Sequence, residues 1–371
     1  MELISSLRGA IGYCQAVDPD GRERLVVVCK QTYRIPTSPD GELELVARAD
    51  QRALVEVDTF TGEPSSSAPL IESEYAAFKP RCDVLVIGSA YAPGGRPTQS
   101  CEVGLIVGTV DKRLRVTGQR AWSVSMGHAR PTPAVPFTRM PISYDLAFGG
   151  TIDDPGRPGE QACYRANPIG VGYYPFGLAA LDGRPAPSTE PLDEPLSSPR
   201  RSYRPMAFGP LGRSWLPRLP LAGTYDDRWL AERFPFLPQD FDFAFFQSAP
   251  PDQQIAYPSG GELVTLINLT PTGHASFRLP RQTMPVEFAR HREPRVATLA
   301  VLDTIWIFAD EGLVTLTWRT SLTLRSDLSE ISEVVFGPMP SSFHRARSSG
   351  REYFSSLGEL VSSRMQARLG I

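Results

Sequence analysis

A chain of 371 residues, 41% of them apolar, is long enough to bury a sizeable core and to form two or three domains. Its 38 Lys and Arg nearly balance 41 Asp and Glu, with no long run of either sign, which argues against a nucleic-acid or anionic-membrane partner. No apolar run approaches the roughly 20 residues that span a bilayer, and five cysteines without regular spacing (Cys14, Cys29, Cys82, Cys101, Cys163) argue against a disulfide scaffold and a zinc ribbon.

The first segment, MELISSLRGAIGYC, has an early Arg8 but no apolar h-region and no small-residue cleavage site, so a secretory signal is not expected and the expected compartment is the cytoplasm. The 31 glycines and 36 prolines exceed the average share of roughly 12%, which favours short strands and irregular loops over long helices. ERLVVVCKQTYRI, GELELVARA, DVLVIGSAY and EVGLIVGTVDKRLRVTG are β-branched, bounded by Gly, Pro or Asp, and read as strands. They define an N-terminal β segment, residues 1–130.

Residues 131–258 read differently, as a Pro/Gly-rich region of loops and short helices that depends on aromatic anchors such as Tyr173, Tyr174, Phe208, Trp215 and Trp229. Within it PAPSTEPLDEPLSSPRRSYRP, residues 185–205, is expected to be an exposed loop. In YDLAFGGTIDDP and YRANPIGVGYY, Gly149 and Gly150 allow positive φ or a close backbone approach, and Asn167-Pro168 starts a turn. Asp153 and Asp154 with Asn167 offer oxygen ligands, yet the EF-hand pattern is missing and loop turns are the favoured reading.

Residues 259–371 return to strands. GELVTLINLT and ASFRLP flank the turn TPTG, with Pro271 and Gly273 as turn residues. RVATLAVLDTIWIFADEGLVTLTWRT folds back at ADEG, where Gly312 supplies positive φ between period-two runs. After EISEVVFG, Tyr353, Phe354, Leu357, Leu360, Val361, Met365 and Leu369 fall near a 3.6-residue stripe, which predicts a C-terminal helix. The fold class expected is therefore mainly β: antiparallel sheets with long Pro/Gly-rich loops, a few short helices and a terminal helix.

His128, His274, His291 and His344 lie in four different segments, and neither a nucleotide-binding nor a nucleophile motif is present, so no cofactor or metal is expected. The densest chemistry lies in FPFLPQDFDFAFFQSAPPDQQ, residues 234–254. On a strand, Asp240 and Asp242 would point the same way about 7 Å apart, the pair an inverting glycoside hydrolase needs. On a short helix Asp240 would cap and Asp242 would complement the first turn, with the phenylalanines as core or as a gripping surface. In AGTYDDRWLAERFP, Thr224 to Asp227 makes a helix start before Trp229.

The ordered segments VVVCKQTYRI, KPRCDVLVIGSAYAPGG, DKRLRVTGQRAW, YDLAFGG, NPIGVGYY, AFGPLGRSWLPRLPLAGTYDDRWL, FPFLPQDFDFAFFQSAPPDQQ and GGELVTLINLTPTGHASFRLP resemble an uncharacterised-domain family associated with bacterial type VI secretion. The resemblance runs from about Arg24 to Pro280. It implies a non-enzymatic cytoplasmic adaptor or chaperone that recognises a secreted effector and loads it onto the VgrG or PAAR spike, with no catalytic residues to carry over. Interfaces favour aromatic anchors, so Trp215, Trp229, Phe243, Phe245 and Phe246 are the candidate protein-binding residues. The competing readings are a carbohydrate-active hydrolase using Asp240 and Asp242, and a self-assembling subunit of the secretion machine.

Overall fold

The computed structural model describes residues 1–351 apart from Arg292, and beyond Arg351 only residues 353, 354, 358, 360, 361, 364 and 365. Its longer strands are β1 (Glu2–Ser5), β2 (Ala10–Val17), β3 (Glu23–Arg34), β4 (Cys82–Tyr91), β5 (Ser100–Val107), β6 (Val110–Thr117), β7 (Leu263–Ile267), β8 (His274–Arg278), β9 (Met284–Arg290), β10 (Val296–Phe308), β11 (Leu313–Thr323) and β12 (Ile331–Phe336). Among the described residues two short helices with continuous bounds accompany them, α1 (Asp227–Glu232) and α2 (Ser341–Ser348). The molecule is mainly β, as its strand signals predict. Among the described residues no helix is long and apolar enough to cross a membrane.

The first sheet runs β1, β12, β9, β10, β11, β3, β2. β10 is long enough to serve two neighbours along one edge. Residues 296–300 pair antiparallel with β9 and residues 304–308 pair parallel with β4, and the register shifts between Leu302 and Thr304 at the changeover. A bulge of this kind bends a strand and re-aims its side chains. β1 and β2 stand at opposite ends of the order, yet only residues 6–9 join them, a reach of about 19 Å at most. The sheet therefore curls until its two edges meet.

The second sheet runs Thr189–Glu190, β6, β5, β7, β8, Gly41–Glu42. Its inner residues, among them Val103, Leu105, Leu114, Val264, Leu266 and Phe277, meet Val27, Val84, Val86, Ile305, Leu316 and Trp318 of the first sheet in one core. Burying a side chain of this size contributes about 1.5–3 kcal/mol. A smaller cluster of Trp122, Phe148, Tyr174, Leu181, Ala186, Leu196 and Tyr203 holds the middle of the chain together.

Both predicted hairpins form. β10 and β11 turn at residues 309–312 with Gly312 at φ 65°, and β7 and β8 turn with Asn268 at φ 52° and Gly273 at φ 79°. Ile305 and Ile307 face the core opposite Leu316 and Val314, whereas Thr315 and Thr317 belong to the other face. The division at residues 130 and 258 does not follow the sheets. β3 pairs with β11 and β5 pairs with β7, so the N- and C-terminal segments build both sheets jointly. Residues 185–205 also differ from the exposed loop expected. Thr189 and Glu190 pair with β6, and buried Tyr203 accepts through its hydroxyl from the backbone N–H of Ser197 and Ser198. Its Pro and Ser content describes the lack of a regular element, not the lack of a partner. The last helix with continuous bounds is α2, with Phe343 buried; of the predicted stripe, Leu360, Val361 and Met365 are helical with Val361 and Met365 exposed, Tyr353 and Phe354 are not helical, and Leu357 and Leu369 lie outside the described residues.

Alternation along β6 sends Val110, Lys112, Leu114 and Val116 to the same, inner face. The Lys112 ammonium is consequently buried, donating to Gln253 Oε1 at 2.7 Å and Asp252 Oδ1 at 3.0 Å. Burial pushes its pKa down to about 8, with the Asp252 carboxylate pulling the other way. Below pH 8 both folded and unfolded chains hold the proton, and the cost of burying the charge is fully present. Between about 8 and 10.5 only the unfolded chain holds it, so this residue's contribution to stability rises with pH. We expect the wild-type chain to gain up to about 3 kcal/mol on Lys112→Met across that window. Urea midpoints of both proteins at several pH values between 7.5 and 10.5 measure this; a constant difference would contradict it.

Candidate functional site: an aromatic shelf

Residues 216–246 leave the sheets as a Pro-punctuated excursion, and a few buried bonds fix its base. Arg218, 2% exposed, pairs with Glu72 and donates to the carbonyls of Leu211 at 2.5 Å and Phe245 at 2.6 Å. Pro217 and Pro220 prevent a regular helix, so the chain takes a single 3-10 turn, Leu219–Ala222, ending at Gly223 with φ 79°. A Cβ at Gly223 would lie 2.9 Å from both Asp240 Oδ1 and Pro238 Cβ, which is why the turn closes on glycine.

Three aspartates then set the local structure. Asp226 caps α1 by accepting from Trp229 N at 2.8 Å, and Asp242 caps the 3-10 turn Phe243–Phe246 by accepting from Ala244 N at 2.8 Å. Asp240 accepts from Thr224 N at 2.9 Å and Thr224 Oγ1 at 2.7 Å, and these bonds hold its carboxyl below the usual range. The Asp240–Asp242 stretch is thus not a strand, and the cap is Asp242 where the helical reading placed it on Asp240. Each carboxylate is engaged with main-chain N–H groups, the geometry of structural aspartates.

What this scaffold displays is apolar. Tyr225, Leu230 and Phe234 are 54%, 59% and 63% exposed, and Leu216, Leu219 and Phe236 are exposed beside them in the chain. Trp229 lies half-buried between Tyr225, 4.7 Å from its ring, and Phe234, 5.7 Å away, while its Nε1 donates to Phe236 O at 2.9 Å. A second group of rings adjoins through the Thr224–Asp240 clasp. Phe241 lies 5.6–5.9 Å from Phe243, Phe245 and Phe246, and Phe246 lies 5.8 Å from Phe245 and 6.3 Å from Phe243; all four are half-buried, and exposed Phe78 meets Phe243 edge-on at 5.7 Å. Scattered exposed apolar side chains are ordinary, but so many along one short excursion mark a surface with a use.

Of the five residues singled out from sequence, Trp229, Phe243, Phe245 and Phe246 belong to this shelf and Trp215 does not. Trp215 is in the core, edge-on to Tyr144 at 5.4 Å, in space left by Gly212, where a Cβ would lie 2.4 Å from the indole nitrogen. Tyr225, Leu230 and Phe78 are not among the candidates read from sequence, and Phe234 and Phe236 enter there only as part of the phenylalanine-rich stretch 234–254. For Leu230 the available signal is its neighbour Trp229 on a six-residue helix: adjacent residues point about 100° apart, so one helix face cannot bury both.

The charges around the shelf are unbalanced. Among the described residues Glu232 pairs with Arg228 at 3.1 Å, while Asp226, Asp227, Asp240 and Asp242 have no ion-pair partner. Of the residues singled out earlier as oxygen ligands, the two aspartates are engaged in local bonds. Asp153 accepts from Gln161 and Asp154 from Gly156 N, whereas buried Asn167 donates through Nδ2 to the carbonyls of Tyr144 and Phe148 and its Oδ1 has no hydrogen-bond partner among the described residues.

Residues 20–319 match the model of a family, DUF2169, described as an uncharacterized protein conserved in bacteria. Neither the curated proteins nor the solved structures gave a match.

Proposed function

We propose that this chain, which belongs to the DUF2169 family, is a non-enzymatic adaptor or chaperone that binds a secreted effector in the cytoplasm and helps load it onto the VgrG or PAAR spike of a type VI secretion system. The observation that carries the reading is the exposed shelf of Tyr225, Trp229, Leu230, Phe234 and Phe236, held by capped turns and a buried arginine. Large rigid rings give much contact area for little lost side-chain freedom, and a pre-organised surface reduces the entropy cost of association. The eight ordered segments that resemble effector adaptors support the same reading. Nothing in the geometry of Asp240 and Asp242 favours the hydrolase alternative, because each carboxylate accepts from the local main chain.

Co-expression with effectors and spike proteins of the source organism tests the proposal. A defined complex with one effector, seen by affinity capture and light scattering and accompanied by a severalfold higher soluble yield of that effector, is the expected result. A chain that elutes alone and leaves every effector unchanged would overturn it.

A further inference from the structure

Building on the adaptor reading, we infer that the shelf receives one amphipathic helix of the bound protein, whose apolar stripe is flanked by lysine or arginine. The apolar half of this statement follows from the exposed rings. The cationic half follows from the carboxylates around them. Asp226, Asp227, Asp240 and Asp242 have no ion-pair partner among the described residues and outnumber the two exposed or half-buried arginines of the same excursion, Arg228, which is matched to Glu232, and Arg233. Main-chain N–H groups fix Asp226, Asp240 and Asp242, so a cation of the partner meets charges already in position. Pre-positioned charge steers encounter and selects partners of the opposite sign.

Three features exclude the other occupants. The shelf is built from α1, two single turns and loops, with no strand edge to add to, so recognition runs through side chains in the manner of a helix laid into an apolar groove. A second copy meeting the same patch across a two-fold axis would set aspartates against aspartates. An anionic bilayer would be repelled by the same charges.

The test uses two fluorescein-labelled helical peptides of about 18 residues with an identical Leu/Phe stripe, one flanked by Lys and Arg and the other by Glu. Anisotropy titrations with the full chain at about 50 and 300 mM salt should show the cationic peptide binding at least about tenfold tighter and weakening severalfold with salt. Leu230→Glu and Asp227→Lys change exposed side chains that make no hydrogen bond or ion pair among the described residues, so the fold is retained and circular dichroism verifies it. The first should weaken the cationic peptide at least about tenfold, and the second should erase most of its advantage over the acidic one. Equal binding of the two peptides, no binding of either, or variants that bind like wild type would overturn the inference, as would a concentration-dependent dimer abolished by Leu230→Glu. An effector complex that survives both variants would leave the adaptor reading standing and remove the shelf from it. Peptide binding as expected, without any effector complex, would uphold the docking site and overturn the adaptor reading.

Discussion

Glu74→Ala is expected to lower the unfolding free energy by about 3–5 kcal/mol, the cost of leaving a buried charge without its partner. Glu74 is 4% exposed, and its carboxylate accepts from Lys30 Nζ at 2.5 Å, Val55 N at 2.8 Å and Thr317 Oγ1 at 2.9 Å. Its own carbonyl takes Arg319 Nη1 at 2.8 Å, and Arg319 also holds Asp303 at 2.5 Å. Residues 74–76 are therefore fastened over the first sheet by cations projecting from β3 and β11. Removing the carboxylate strands Lys30, itself 4% exposed, in a site with little water. A buried pair is not automatically stabilising, since desolvation offsets much of the attraction, so Lys30→Met combined with Glu74→Leu should recover a large part of the loss. Urea unfolding followed by tryptophan fluorescence and far-UV circular dichroism separates the three proteins. A Glu74→Ala midpoint close to wild type would mean that this layer is not what fastens the segment.

The same layer marks where sequence reasoning stops. DVLVIGSAY and VATLAVLDTIWIF announce strands because their β-branched runs satisfy a local preference. Which strand neighbours which is decided by pairings such as Leu316 with Gln31 and Thr304 with Asp83, hundreds of residues apart in the chain, and no local signal encodes them. β9 is not among the strands read from sequence; Pro285 brings no N–H to it, yet the carbonyl of Pro285 accepts from Gly337 N. The aromatic excursion shows the complementary limit. Its composition was plain, but burial is read from period two or 3.6, and a six-residue helix between single turns repeats neither for long enough. Ring density by itself favours core over surface, and only the fold separates Trp215 from Trp229.

Glycines at 149 and 150 were legible for a firmer reason, and they give the second large effect. Gly150→Ala is expected to cost about 3 kcal/mol or more, combining a disfavoured backbone angle with a steric overlap. Gly150 sits at φ 119°, a conformation that residues with a Cβ rarely adopt, and a Cβ there would lie 2.6 Å from Gly170 O. Its N–H donates to Asn167 O and its carbonyl accepts from Tyr164 N, both at 2.9 Å, so neither strand of this stitched loop can move aside without breaking the other's bonds. Val171 N to Ala147 O and Tyr173 N to Gly149 O continue the same seam beneath Phe148 and Tyr174 of the smaller cluster. Gly177→Ala is the control: nothing lies within 4 Å of its Cβ position and its φ is an ordinary −65°, so alanine should be neutral or stabilise slightly by restricting the unfolded chain. Hydrogen exchange should locate the damage, with amides of residues 164–173 losing protection in Gly150→Ala while β3 and β11 keep theirs. Uniform loss across both regions would instead mean that the smaller cluster and the sheets unfold as one unit, and unchanged protection would mean that the seam accommodates a methyl group that its spacing leaves no room for.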